Sequence, residues 1–253
     1  MNMKSILSIA VLAGLATFAS AQNGVLYYSQ DSTGDLFSLD TSTGVATLAG
    51  TTGVTSSTVG LSKGTLGDLY GTTFQNLSRI TPNSGHTVIG GNIAAEGLAY
   101  DVSTDTLYWS INGSFGSADP ATGNRTTTLA APGADYEGLT YHNGFVYGIA
   151  DGGDFSRYEI ATDTWTFLAN VGFGSDNAGL AYDAVGDTFY ITSDFDNNLY
   201  AMNGSTFVVS LVGDTGLADA SGGLAFQANP VPEPATMAIL GLGALAALRR
   251  RKK

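Results

Sequence analysis

Cysteine is absent from the 253 residues. That absence excludes a disulfide framework, a thiolate zinc site and a cysteine nucleophile, so stability in an oxidising compartment must come from packing. Positive charge is nearly as scarce. Between Gln22 and Pro232 the cations are Lys63, Arg79, Arg125 and Arg157, set against 21 acidic residues in a chain of net charge −12. Such a body repels polyanions, so no nucleic-acid partner is expected. Charged residues of both signs make up 13% of the chain while Gly numbers 34. A composition poor in Lys, Glu and Gln disfavours long surface helices and favours strands and turns. Long hydrophobic runs are missing too. The run from Ala235 to Leu248 has 14 apolar or small residues, short of the roughly 20 that a helix needs to cross a bilayer.

What is present begins with a leader. Lys4, an apolar stretch from Ile6 to Phe18 and then Ala19-Ser20-Ala21 read as a secretory signal peptide over residues 1–21, a helical segment cleaved before Gln22. Export through the Sec translocon follows, and the remainder folds outside the cytoplasm.

Residues 22–229 form a repeat. Gly60-Leu61, Gly97-Leu98, Gly138-Leu139, Gly179-Leu180 and Gly223-Leu224 open the same phrase, with the leucines 37, 41, 41 and 44 residues apart. A second phrase recurs at Leu26-Tyr27, Leu69-Tyr70, Leu107-Tyr108, Val146-Tyr147 and Phe189-Tyr190. A third alternates apolar and polar residues, as at Leu36 to Leu39 and Phe155 to Tyr158, and is degenerate near Phe115. A fourth closes each unit, as at Thr87 to Ile89 and Trp165 to Leu168. Four short strands in each of five units predict an all-β fold, a five-bladed β-propeller of four-stranded blades. The chain opens on the second strand of a blade and ends on a first strand, so the ring is expected to close end to end and to hide its edges. A β-solenoid or a pair of sandwiches is the alternative. The repeats resemble, loosely, the Gly-Leu-Ala-x-Asp blades of secreted propellers, some of which have six.

In a propeller the first strand of each blade lines the central channel. The loops joining strands two and three share one face with the loops joining successive blades. By that rule twelve acids gather on this face and seven on the other. Glu96 and Glu137 precede the Gly-Leu phrase in adjacent blades and belong at the channel mouth. Asp151 and Asp154, and Asp194 and Asp196, lie in oxygen-rich turns beside them. Clustered carboxylates suit a hard cation, Ca2+ first, although Asp and Asn also occupy turns simply to bond nearby amides. No stretch matches the twelve-residue calcium loop. Paired carboxylates could also serve a glycoside hydrolase or lyase. His86 and His142 read as an outer-strand and a turn histidine, so no Ser-His-Asp triad is expected and no catalytic residue is assigned. Tyr100, Trp109, Tyr141, Tyr182 and Tyr190 fall at repeated strand positions and read as core. Tyr136, beside Glu137, reads as a loop residue and a ligand contact.

Beyond the repeat come Val231-Pro232-Glu233-Pro234, the apolar run 235–248 and Arg249, Arg250, Arg251, Lys252 and Lys253. The prolines stop any preceding helix and keep Glu233 extended, as a protease requires. The cations follow the positive-inside tendency for a short transmembrane helix. This order over 230–253 resembles the PEP-CTERM sorting signal, which is handled by a membrane protease-transpeptidase, the exosortase. The resemblance implies transient membrane insertion, removal of the tail by the exosortase and a cell-surface or extracellular destination, often linked to exopolysaccharide and biofilm. The expectation is therefore a non-enzymatic binding or matrix component of the cell envelope. A secreted carbohydrate-active enzyme is the alternative.

Overall fold

The computed structural model describes residues 24–51, 59–65, 67–173 and 178–228. The signal helix, the transmembrane helix over 235–248, the Pro-Glu-Pro motif and the five terminal cations lie outside the described residues. Among those described, no helix is long and apolar enough to cross a membrane.

Among the described residues, twenty strands build five four-stranded antiparallel sheets. The opening blade holds β1 (Gly24–Ser29), β2 (Asp35–Leu39) and β3 (Ala46–Thr51). The second holds β4 (Gly60–Lys63), β5 (Leu69–Thr72), β6 (Asn76–Thr81) and β7 (Gly85–Gly91). The third holds β8 (Gly97–Asp101), β9 (Thr106–Ile111), β10 (Ser114–Ala118) and β11 (Arg125–Thr128). The fourth holds β12 (Tyr136–His142), β13 (Phe145–Ala150), β14 (Asp154–Glu159) and β15 (Thr164–Asn170), with one 3-10 turn over Asp151–Gly153. The fifth holds β16 (Gly179–Asp183), β17 (Thr188–Thr192), β18 (Asn198–Asn203) and β19 (Val209–Asp214). The last strand, β20 (Leu224–Ala228), returns to the opening blade, whose order is β20-β1-β2-β3.

Closure is therefore end to end. Leu26 faces Phe226 and Tyr28 faces Leu224 across the β1–β20 ladder. The Tyr28 hydroxyl donates to the Ser221 carbonyl at 2.6 Å, and the Ser29 amide donates to the Gly223 carbonyl at 3.0 Å. Both ends of an otherwise open sheet are satisfied by one another, which removes an edge that could template aggregation.

The repeated Gly-Leu phrase is explained at the axis. β4, β8, β12, β16 and β20 pack as a ring of inner strands. Their glycines let neighbouring backbones touch. A Cβ on Gly138 would lie 2.5 Å from the Ala178 carbonyl oxygen, and one on Gly223 would lie 2.3 Å from the Leu61 amide nitrogen. Leu61, Leu98, Leu139, Leu180 and Leu224 then fill the axis, each buried, and leave no volume between them for a water molecule. The propeller is plugged, with a mouth on each side of the plug.

Aromatic and aliphatic side chains fill the wedges between blades. Phe115, fully buried, packs edge-on against Tyr158 and Trp165. The degenerate third phrase is thus a genuine strand, held by the Phe115 anchor rather than by alternation. One further device repeats. The Tyr100, Tyr158 and Tyr182 hydroxyls donate to Asp105, Asp163 and Asp187, five residues on, at 2.6, 2.7 and 2.8 Å. Each of these aspartates has a left-handed φ near +50° (52, 51 and 47°), which Asp tolerates because its short side chain bonds locally. Replacing Asp105 by alanine should cost about 1–2 kcal/mol, by orphaning the Tyr100 hydroxyl and straining the turn. Equilibrium urea unfolding checks this, and Tyr100→Phe combined with it should add little.

Candidate functional site

The acids of the two faces differ in what they do. On the face of the inner hairpins, all seven expected there accept hydrogen bonds, from their own turns or from a neighbouring segment. Asp40 takes Ser42 and Thr43, Asp101 takes Ser103 and Thr104, and Asp119 takes Ala121 and Thr122. Asp163 accepts from Tyr158 and Ala130, Asp183 from Val185, Asp187 from Tyr182 and Ser205, and Asp105 from Tyr100. The Ser42 hydroxyl holds Asp40 below the usual carboxylate range, and the Ser205 hydroxyl does the same for Asp187. These carboxylates are structural.

On the opposite face Glu96, Asp135 and Glu137 turn toward one another. One carboxylate oxygen from each lies within 4.8 Å of the others, and all three residues are half-buried. Three local features aim them there. Glu96 immediately precedes β8, anchored by its amide on the Ser110 carbonyl at 2.9 Å. Glu137 is the extra residue of a β-bulge: Tyr136 pairs with Ala150 and Gly138 with Ile149, which leaves Glu137 unpaired. A bulge re-aims a side chain without ending the strand. The third feature is the Asn112-Gly113 turn between β9 and β10. Both residues have positive φ, 48° and 68°, as a two-residue hairpin turn requires. Its amides face the cluster, Asn112 donating to Glu96 at 3.4 Å and Gly113 to Asp135 at 2.9 Å. The Asp135 carbonyl takes the Asp151 amide at 3.0 Å, which ties the 3-10 turn to the same spot.

Repulsion in a half-buried space follows. Burial first, then the charges of Glu96, Asp151 and Asp135, push the Glu137 carboxyl up to about 8. Burial and Asp135 also raise Glu96, against the Asn112 amide, which lowers it. Glu137 and Glu96 sit directly above the leucine plug. Three carboxylate oxygens at this spacing match a hard cation: ligands at about 2.4 Å from one Ca2+ can be no more than about 4.8 Å apart.

Glu96, Glu137 and Asp151 thus come together, and Asp135 joins them. Asp154, Asp194 and Asp196 do not. Asp154 accepts from Asn170 at 2.8 Å, and Asp196 accepts from Tyr200 and from the Asn198 amide. Asp194 belongs with Asp219 and Asp31 near Tyr28, whose hydroxyl is pushed up by its burial first and then by their charges. Tyr136 needs correction. It opens β12 rather than lying in a loop, is 3% exposed and stacks on Trp165 at 4.7 Å, so it is core and cannot meet a ligand. Trp109, Tyr100 and Tyr190 are also buried. Asp135 could have been singled out beforehand by its position two residues before Glu137. The Asn-Gly turn that receives it, however, belongs to another blade.

No curated protein matches this chain. The fold resembles a chain in the crystal structure of a nidogen/laminin complex, with a TM-score of 0.58 and 16% identity over 80% of this chain and 97% of that one. That likeness extends to the fold. Residues 230–252 match the family model of the PEP-CTERM protein-sorting motif. The chain is therefore a five-bladed β-propeller carrying a PEP-CTERM sorting motif, which marks an exported, exosortase-targeted protein made as a membrane-anchored precursor.

Proposed function

We propose that the mature protein is a non-enzymatic binding or matrix component at the cell surface or outside it, associated with exopolysaccharide, and that the mouth formed by Glu96, Asp135, Glu137 and Asp151 holds Ca2+. The observation that carries the reading is the convergence of three carboxylates within 4.8 Å above a plugged axis. Acids on the other face are held apart by hydrogen bonds to hydroxyls and amides, whereas these crowd together in a half-buried space that a cation would neutralise. A bound divalent ion would leave open coordination positions toward solvent, and sugar hydroxyls are suitable ligands for them.

Calorimetric titration of the metal-free protein with Ca2+, and then with the host's own polysaccharide, tests it. Binding of Ca2+ with Kd of about 10⁻⁴–10⁻³ M is expected, as for extracellular modules, and Glu96→Gln with Glu137→Gln should abolish it. Silence toward both ligands would leave the reading without support.

A second reading has one observation in its favour. A carboxyl raised to about 8 beside other acidic side chains is the arrangement of a general acid with its partner, so a secreted glycoside hydrolase or lyase is the competitor. Release of new sugar ends from the host polysaccharide by the wild type but not by Glu137→Gln would favour it.

A further inference from the structure

The opposite mouth of the plug is a bowl of about 620 Å3. Half-buried Tyr182 lines it, Tyr100 and Phe226 lie buried at its floor, and Tyr141 lines a neighbouring cavity; in each of these four blades the fourth residue of the Gly-Leu phrase is aromatic. In the remaining blade it is Lys63. Val102 and Val185, 60% and 67% exposed, form the rim. Burial draws the Lys63 ammonium below the ordinary lysine value, and Asp101 is the charge that opposes this. Asp101 is already engaged by Ser103 and Thr104. Among the described residues Lys63 has no hydrogen-bond or ion-pair partner for its ammonium. A half-buried cation in an apolar bowl, in a body with four cations in all, calls for an anionic partner.

The chain itself supplies one at this spot. β20 runs along the bowl, and Phe226, Gln227 and Ala228 line it. The next residues are Asn229-Pro230-Val231-Pro232-Glu233-Pro234, and Glu233 is the one acid between residue 229 and residue 253. Alternating prolines favour an extended polyproline II segment, which is ordered on a surface at low entropic cost. At roughly 3.1 Å per residue, the five residues from Asn229 to Glu233 reach about 15 Å from the rim.

We propose that the bowl is the docking site of the chain's own residues 230–234, with the Glu233 carboxylate on the Lys63 ammonium and the prolines against half-buried Tyr182 and the exposed Val102 and Val185. The sorting motif of the precursor is then held on the body, and exosortase must take it from there. Gly24 pairs with Ala228, so the chain enters and leaves at this face, which the docked motif keeps toward the membrane while the acidic mouth points away. This holds whether or not the acidic mouth binds Ca2+.

The lack of cysteine makes the test direct. In full-length precursor from a host without exosortase, Lys63→Cys with Glu233→Cys should form an intramolecular disulfide under mild oxidation. The rate should be at least tenfold above that of Phe195→Cys with Glu233→Cys, whose Phe195 is exposed on the far face. A rate equal to the control overturns the proposal, and disulfide-linked dimers overturn it in favour of the tail of a second copy. Charge exchange gives a second measurement that needs no cysteine. Lys63→Glu and Glu233→Lys should each expose the 229–234 segment to added protease, and the double variant should restore protection. Equal cleavage in all four chains also overturns it.

Discussion

Gly223→Ala is expected to lower the melting temperature by about 10 °C, the loss of about 3 kcal/mol in a domain of this size. The position looks innocuous, since alanine adds one methyl group to a strand entry. The neighbours decide otherwise. That methyl carbon would stand 2.3 Å from the Leu61 amide nitrogen, 2.6 Å from the Leu61 Cβ and 2.9 Å from the Gly60 carbonyl carbon. Backbone atoms cannot swing aside as a flexible side chain can, so β4 and β20 must move apart. The same movement strains the β1–β20 ladder that closes the ring. Truncating Leu61 to alanine as well should therefore rescue nothing and should add its own cavity cost. Thermal unfolding of the two variants checks both points. A melting temperature within 3 °C of wild type for Gly223→Ala would mean that the axis is looser than this packing.

The same axis accounts for how far the sequence alone could be read. Ring fold and closure are legible because a propeller states its rule five times, and Gly-Leu returns wherever two inner strands must touch around a plug. The degenerate phrase at Phe115 was hard to read because one large ring, packed between blades, does what alternation does elsewhere. At the mouth, Glu96 and Glu137 were visible because they share a phase in the repeat. Asp154 and Asp196 share the composition of that face without sharing the site, since Asn170 on the neighbouring strand takes the first and Tyr200, four residues on, takes the second. Tyr136 was misread because the bulge at Glu137 extends β12 two residues beyond its counterparts. A bulge depends on pairing and leaves no mark in periodicity. Lys63 shows the opposite case: it is legible only once the repeat is aligned, as the one cation in a column of aromatics.

In metal-free buffer, stability is expected to fall by about 3 kcal/mol as the pH rises from 5 to 9, and Glu137 should be the cause. The unfolded chain titrates this group near 4.5, whereas the folded one does so at about 8, through burial first and then the charges of Glu96, Asp151 and Asp135. The folded state therefore holds its proton more tightly. Its contribution is complete below the unfolded value and is lost as pH climbs through 8. Full linkage for that shift would be about 5 kcal/mol at 1.36 per unit; partial solvent screening of a half-buried group reduces it to about 3. Glu96 is displaced the same way and adds to the slope. Asp40 and Asp187 are displaced downward, so their contributions disappear only in acid below this window. Burial also lowers His142, which works against the trend near pH 6. Comparing wild type with Glu137→Gln cancels that histidine. The amide imitates the protonated acid, so the variant should lose most of the slope and exceed wild type by about 3 kcal/mol at pH 9. Urea midpoints across the range measure it. Millimolar Ca2+ should flatten the wild-type curve, because the ion does the neutralising that the proton did, and should leave Glu137→Gln unchanged. Equal slopes in the two proteins would mean that the carboxylates at the mouth are farther apart in solution than 4.8 Å, and would remove the electrostatic basis of the cation site.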